Sequence, residues 1–230
     1  LMSVSPEVAG VLNITPNHLD RHKTMAAYVA AKRNIVAHQG PEDVAVLGFD
    51  EPNARALAES TPAAVRYFSA LEAAEADVFL HDDALMLRRA GGLTEVCTRD
   101  TIQLRGFHNV LNVLAAIALA DAAGASVGAM REAIGAFTGV AHRLEVVRRW
   151  RDALWVNDSI ATAPERVIAA LDSFDESIIL LAGGRDKDLE WEEMAQRIVE
   201  RVRILITFGE VGPLIREHVL RAWVQAQQEG

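Results

Sequence analysis

Short runs of β-branched and aliphatic residues alternate along this chain with longer Ala-rich segments of helical period, the pattern of an α/β protein. Strands are predicted over residues 8–14, 44–47 and 65–68, with shorter ones near 78–80, 85–87 and 95–98. Asp82-Asp83 and Gly91-Gly92 are turn signals, so residues 77–101 read as a small antiparallel meander. Thr24 can cap a helix that runs from Met25 to about His38, where Gly40-Pro41 stops it. A helix from about Asn109 to Ala123 is apolar almost all round and is therefore expected to be buried. Gly124 ends it, and a further helix is expected over 127–137.

Residues 138–141 (Thr-Gly-Val-Ala) read as a linker, which divides the chain into regions 1–140 and 141–230. Beyond it the pattern predicts a strand pair over 145–150 and 154–157 and a helix over 164–174. Strand 178–182, helix 190–201, strand 204–208 and helix 211–227 follow. Strand-helix-strand-helix order of this kind is that of a Rossmann-like unit.

Composition narrows the function classes. The 230 residues are 50% hydrophobic and 24% charged, which marks a globular chain with ample core. A net charge of −9 argues against nucleic acid as a partner. The lone Cys97 excludes an internal disulfide framework and a multi-cysteine zinc site, and fits a reducing, cytoplasmic setting. No run is long enough to span a membrane: the best, 110–123, is short and broken by Asn112 and Asp121. The chain opens on Leu already approaching a strand, and upstream sequence is expected.

Four constellations carry candidate chemistry. The first is the loop LNITPNHLDRH (12–22), placed behind an apolar run, with Lys32 on the helix that follows. Its His18 can offer a neutral imidazole to a divalent cation or its water shell, or can simply bond to backbone. The second is GFHNVLN (106–112), where Asn109 and Asn112 are three apart on one helical face. Carboxamides there suit the edge of a purine base, or Asn109 caps the helix and Asn112 is a buried structural residue. The third joins His142-Arg143-Leu144-Glu145 to the segment NDSIATAP (157–164). Arg143 is a natural phosphate partner, and Asp158 either accepts from ribose hydroxyls or caps the helix that follows. The fourth is LLAGGRDK (180–187), in which an apolar strand runs into Gly-Gly and two cations. That arrangement suits a carboxylate or phosphate guest, or a plain tight turn.

In this order and spacing the five segments NITPNHLDRH with AAK (30–32), GFHNVLNVLAA, HRLE, NDSIATAPE and LLAGGRDK resemble the Mur ligase family, and within it the D-glutamate-adding branch. The resemblance implies residues 1–140 to be part of a P-loop-type ATPase central domain and 141–230 to be a Rossmann-like C-terminal domain, truncated. It implies ATP and Mg2+ as cofactors, UDP-N-acetylmuramoyl-L-alanine and D-glutamate as substrates, and a cytoplasmic monomer. His18 and a carbamylated Lys32 would serve as metal-site and catalytic residues. Asn109, Asn112, His142, Arg143 and Asp158 would hold the nucleotide, and Thr162 and Lys187 would hold D-glutamate. The family's phosphate loop is missing: no Gly-x-x-x-x-Gly-Lys-[Ser/Thr] pattern occurs in these residues, so the 230-residue chain is expected not to turn over ATP. Ile160 stands where many relatives have Lys, and Asn17 where many have Asp. Two other readings stay open: a folylpolyglutamate or cyanophycin synthetase-like amide ligase, and a non-catalytic nucleotide-binding module.

Overall fold

A computed structural model describes residues 3–16, 19–185 and 190–229. His18 and Lys187 lie outside them. The chain forms two compact units, Leu1–Thr138 and Gly139–Gly230. Both are α/β.

The first unit is built on a six-stranded sheet in the order β1-β2-β3-β4-β5-β6. Strands β1 (Val8–Val11), β2 (Val44–Gly48), β3 (Ala64–Ser69) and β4 (Val78–His81) run parallel. Strands β5 (Ala84–Arg89) and β6 (Gly92–Thr98) continue as the expected antiparallel meander. Side chains alternate across β2, so both faces must be covered. Val46 belongs to a core under helices α4 (Phe107–Ala122) and α5 (Val127–Ala136), whereas Ala45 and Leu47 belong to the opposite core with Tyr28, Val36 and Leu57. On β1 the same alternation turns Ala9 and Val11 to the second core and Gly10 toward Leu119 of α4.

The opposite face is covered by α2 (Met25–Arg33), by the short α3 (Pro52–Arg55) and by a 3-10 turn over Ala56–Ser60. A four-residue helix α1 (Leu19–His22) precedes α2. Thr24 caps α2 as expected, accepting from the Ala27 N–H. The helix ends at Arg33, short of His38, because the chain tightens there: Ile35 and Val36 donate to carbonyls only three residues back. Helix α4 is buried as its composition requires, with Leu114 fully enclosed.

In the second unit, β7 (Glu145–Trp150) and β8 (Ala153–Asn157) form an antiparallel hairpin. Helix α6 (Pro164–Leu171) leads to β9 (Ile178–Gly184), then α7 (Glu192–Arg201), β10 (Val202–Gly209) and α8 (Gly212–Glu229). The parallel β9-β10 pair packs Leu180, Ala182 and Leu205 against Met194, Ile198 and Ile215 of the helices. Its other face carries Ile179, Leu181, Ile204, Ile206 and Phe208, each about half exposed. No helix among the described residues is long and apolar enough to cross a membrane.

Candidate functional site

Parallel α/β sheets place their ligand chemistry at the carboxyl ends of the strands, where side chains and helix starts converge. In the first unit that edge is laced by two consecutive acids that follow β2. Asp50 accepts from Ser69 Oγ at 2.6 Å and the Ala70 N–H at 2.7 Å, tying down the exit of β3. Glu51 accepts from the Ile14 N–H at 3.0 Å and the Ala54 N–H at 2.7 Å, tying down the exit of β1. Asn53 completes the clamp, its amide donating to the Ile14 carbonyl at 3.2 Å and to Glu51 Oε1 at 2.9 Å. This corrects the strand expected over 8–14. Ile14 is buried, but its backbone bonds to side chains rather than to a neighbouring strand, so β1 stops at Val11.

The polar loop leaves from that clamp. Asn13 and Thr15 are exposed, and beyond the loop Lys32 is exposed near the end of α2. Lys32 Nζ stands 5.4 Å from the centroid of the Tyr28 ring, one turn earlier, and the His22 ring lies 5.1 Å from the same ring. Tyr28 thus links the last residue of the DRH triplet to Lys32. Nothing in the hydropathy pattern marks it, since a tyrosine four residues before a lysine is a common core position. No three His, Cys, Asp or Glu side chains converge as metal ligands among the described residues. His18, the other residue expected at the cation, lies outside the described residues, and Lys32 stands as a cation over an aromatic face.

Asn109 and Asn112 are brought together on α4. Asn109 is buried, and its amide donates to the Arg105 carbonyl at 2.7 Å while its Oδ1 accepts from Asn112 Nδ2 at 3.1 Å. Asn109 is not the cap that its position suggests. The helix starts at Phe107 after Gly106, whose φ of +90° is open to glycine at low cost, and no side chain caps it. Asn109 thus anchors Asn112, which is only half-buried.

In the second unit the structure brings His142, Arg143 and Asp158 into one turn. Asp158 Oδ1 accepts from the Leu144 N–H at 3.0 Å, and Glu145 Oε2 accepts from the His142 N–H at 2.8 Å. Asn157 Oδ1 accepts from the Ser159 N–H at 3.1 Å, which turns Nδ2 toward His142 Nδ1 at 2.9 Å. An amide nitrogen can only donate there, so Nδ1 accepts and Nε2 bears the imidazole proton. Asp158 does not cap α6: the cap position is Ala163, without a side-chain bond, and Pro164 begins the helix. Thr162 is exposed two residues before that start. Near the end of β9, Gly183 has no room for a side chain, because a Cβ there would fall on the Phe208 carbonyl oxygen. Sequence reasoning missed Glu51 and Asn53, and gave Asn157 and Glu145 no role within the segments that contain them. The adjacency of Glu145 to His142-Arg143 and of Asn157 to Asp158 was the available signal.

Comparison with known proteins follows the same outline. The family model described as the Mur ligase middle domain matches residues 1–120. A protein named UDP-N-acetylmuramoylalanine--D-glutamate ligase from Symbiobacterium thermophilum is 42% identical over 223 residues, 96% of this chain and 49% of its own length. One of the same name from Acetivibrio thermocellus is 41% identical over 230 residues, 100% of this chain and 49% of its own. The chain spans about half the length of these curated relatives. Among solved structures, MurF from Acinetobacter baumannii superposes with a TM-score of 0.77 at 21% identity, covering 94% of this chain and 49% of that one. Folylpolyglutamate synthase of Mycobacterium tuberculosis, complexed with ADP, does so with a TM-score of 0.70 at 19% identity, covering 94% and 51%. These structures share the fold, and the family match extends over more than half of the sequence. The chain belongs to the Mur ligase family.

Proposed function

We propose that this chain supplies the nucleotide- and amino-acid-handling half of an ATP-dependent ligase that joins D-glutamate to UDP-N-acetylmuramoyl-L-alanine in cytoplasmic peptidoglycan synthesis. One observation carries the reading. The five motifs, in order, fall within a stretch that aligns at about 40% identity to ligases bearing that name. We take the first unit as the later part of the central ATPase domain and the second as the start of the C-terminal domain. The protein acts as a monomer, with neither nucleic acid nor membrane as partner.

The chemistry has two steps. An oxygen of the substrate carboxylate attacks the γ-phosphorus of ATP, ADP departs, and an acyl phosphate forms. The neutral amine of D-glutamate then attacks the acyl carbon, a tetrahedral oxyanion forms, and phosphate leaves with the bonding pair as the amine gives up a proton. Negative charge accumulates in both steps, so fixed cations and N–H donors are what the protein must supply. Arg143 supplies a guanidinium fork to the nucleotide phosphates, and His142 an Nε2 proton beside it. Asp158 meets ribose hydroxyls, and Asn112, anchored by Asn109, reads the purine edge. Thr162 and Lys187 hold D-glutamate. His18 and Lys32 belong to the acyl-transfer wall, where carbamylation would convert the Lys32 ammonium into an anion able to take a cation. His18 and a carbamylated Lys32 would hold Mg2+, which would offset the negative charge of the phosphates.

The test is ADP formation by the natural protein that contains these residues, supplied with ATP and UDP-N-acetylmuramoyl-L-alanine. The expected result is ADP release that depends on D-glutamate and is negligible with L-glutamate. Equal or preferential use of L-glutamate would instead point to a folylpolyglutamate synthetase-like ligase and overturn the assignment.

A further inference from the structure

The turn that carries Arg143 is held in a conformation its residues do not favour. His142 has φ +66° and Leu144 has φ +45°, so two non-glycine residues in left-handed conformation bracket the arginine. For a side chain branched at Cγ such as leucine this region is uncommon, and it persists only where surrounding contacts over-determine it. Those contacts are present, and they account for every backbone N–H of the turn. Glu145 Oε2 takes the His142 N–H at 2.8 Å, the Val140 carbonyl takes the Arg143 N–H at 3.2 Å, and Asp158 Oδ1 takes the Leu144 N–H at 3.0 Å. From the other side the Ile160 N–H reaches the His142 carbonyl at 3.3 Å, and Asn157 grips the imidazole at 2.9 Å. The Arg143 guanidinium itself is exposed and has no ion-pair partner among the described residues. The N–H groups of the turn are thus committed, while the guanidinium has no ion-pair partner among the described residues.

We propose that Glu145 and Asn157 are positioning residues for Arg143. They hold the strained turn so that its backbone does not have to be ordered when the Arg143 guanidinium meets the phosphates of a nucleotide. Glu145 does this through the His142 N–H and Asn157 through the His142 ring. Neither touches the ligand. The inference rests on the reading of Arg143 as a phosphate partner, and the experiment separates the two.

The experiment is calorimetric titration of the natural protein that contains these residues with Mg·ADP and with adenosine, for wild type, Arg143→Ala, Glu145→Ala, Glu145→Gln, Asn157→Ala and the double variant Arg143→Ala/Glu145→Ala. Loss of positioning is expected to weaken ADP about tenfold in Glu145→Ala, while adenosine stays within about twofold. Glu145→Gln keeps an oxygen that accepts the His142 N–H and is expected to bind ADP like wild type. On the Arg143→Ala background, removal of Glu145 is expected to change nothing further, because its effect passes through the arginine. Additive losses in the double variant, or equal losses of ADP and adenosine, would overturn the positioning role while leaving Arg143 in place. ADP binding by Arg143→Ala equal to wild type would overturn the reading of Arg143, and the inference with it. If Glu145→Ala melts before titration, Asn157→Ala gives the same comparison by its own route.

Discussion

Gly48 shows at the scale of one residue how the sheet and the candidate site are coupled. A Cβ at that position would fall on the Leu12 carbonyl oxygen, so only glycine lets the exit of β1 pass this close to β2. Gly48→Ala is expected to cost about 3 kcal/mol, as overpacking against backbone does, read as a lower urea midpoint at unchanged slope. Cys97 offers a second check. It is buried, and burial pushes its thiol above the ordinary value, with Arg131 opposing and Glu95 and Asp100 adding to the rise. A raised thiol pKa means less thiolate at a given pH, so alkylation near pH 8 is expected to be slow in the native chain and fast in denaturant. Fast native alkylation would contradict the burial. The pairing of Asn109 with Asn112 was legible in their spacing, because three residues place two side chains on one helical face. The role of Asn109 as the anchor was not, since it depends on helix α4 starting at Phe107, two residues before Asn109, after a glycine of positive φ. The left-handed residues around Arg143 were equally hidden, because neither is glycine or asparagine.

At the scale of elements, helix α4 is fixed to the sheet by more than apolar contact. Asp121, near its end, has a side chain only 5% exposed and pairs with Arg66 of β3 and Arg89 of β5, the Arg89 Nε contact being 2.8 Å. Both guanidinium groups are a third or more exposed, so the network is only partly desolvated. Asp121→Ala is expected to destabilise the chain by about 2 kcal/mol, below the range for a fully buried pair, measured as a shift in thermal midpoint; no shift would show the network to be ornamental. The strand and helix order was legible because period two and period 3.6 are local properties of the sequence. The ends were not. Strand β1 stops early because Glu51, thirty-seven residues away, takes the Ile14 N–H, and no local window contains both. Helix α3 and its 3-10 continuation depend on the same carboxylate, which caps α3 at Asn53 and Ala54.

At the scale of the whole molecule, each unit has its own buried core: two clusters on either side of the sheet in the first, and one around Trp191, Met194 and Ile215 in the second. Residues 1–138 expressed alone are therefore expected to unfold in one cooperative transition followed by circular dichroism, and a gradual loss of signal would contradict this. Family membership was legible in the motif order, because five spaced segments constrain one another far more than any one does alone. The central claim is ligation through an acyl phosphate, and an oxygen label tests it most directly. UDP-N-acetylmuramoyl-L-alanine carrying 18O at both carboxylate oxygens is incubated with ATP, D-glutamate and the natural protein containing these residues, and the phosphate released is examined by 31P NMR. Since the attacking carboxylate oxygen leaves with the phosphoryl group, the account predicts one 18O in the inorganic phosphate for each amide formed. Amide accompanied by unlabelled phosphate would contradict it.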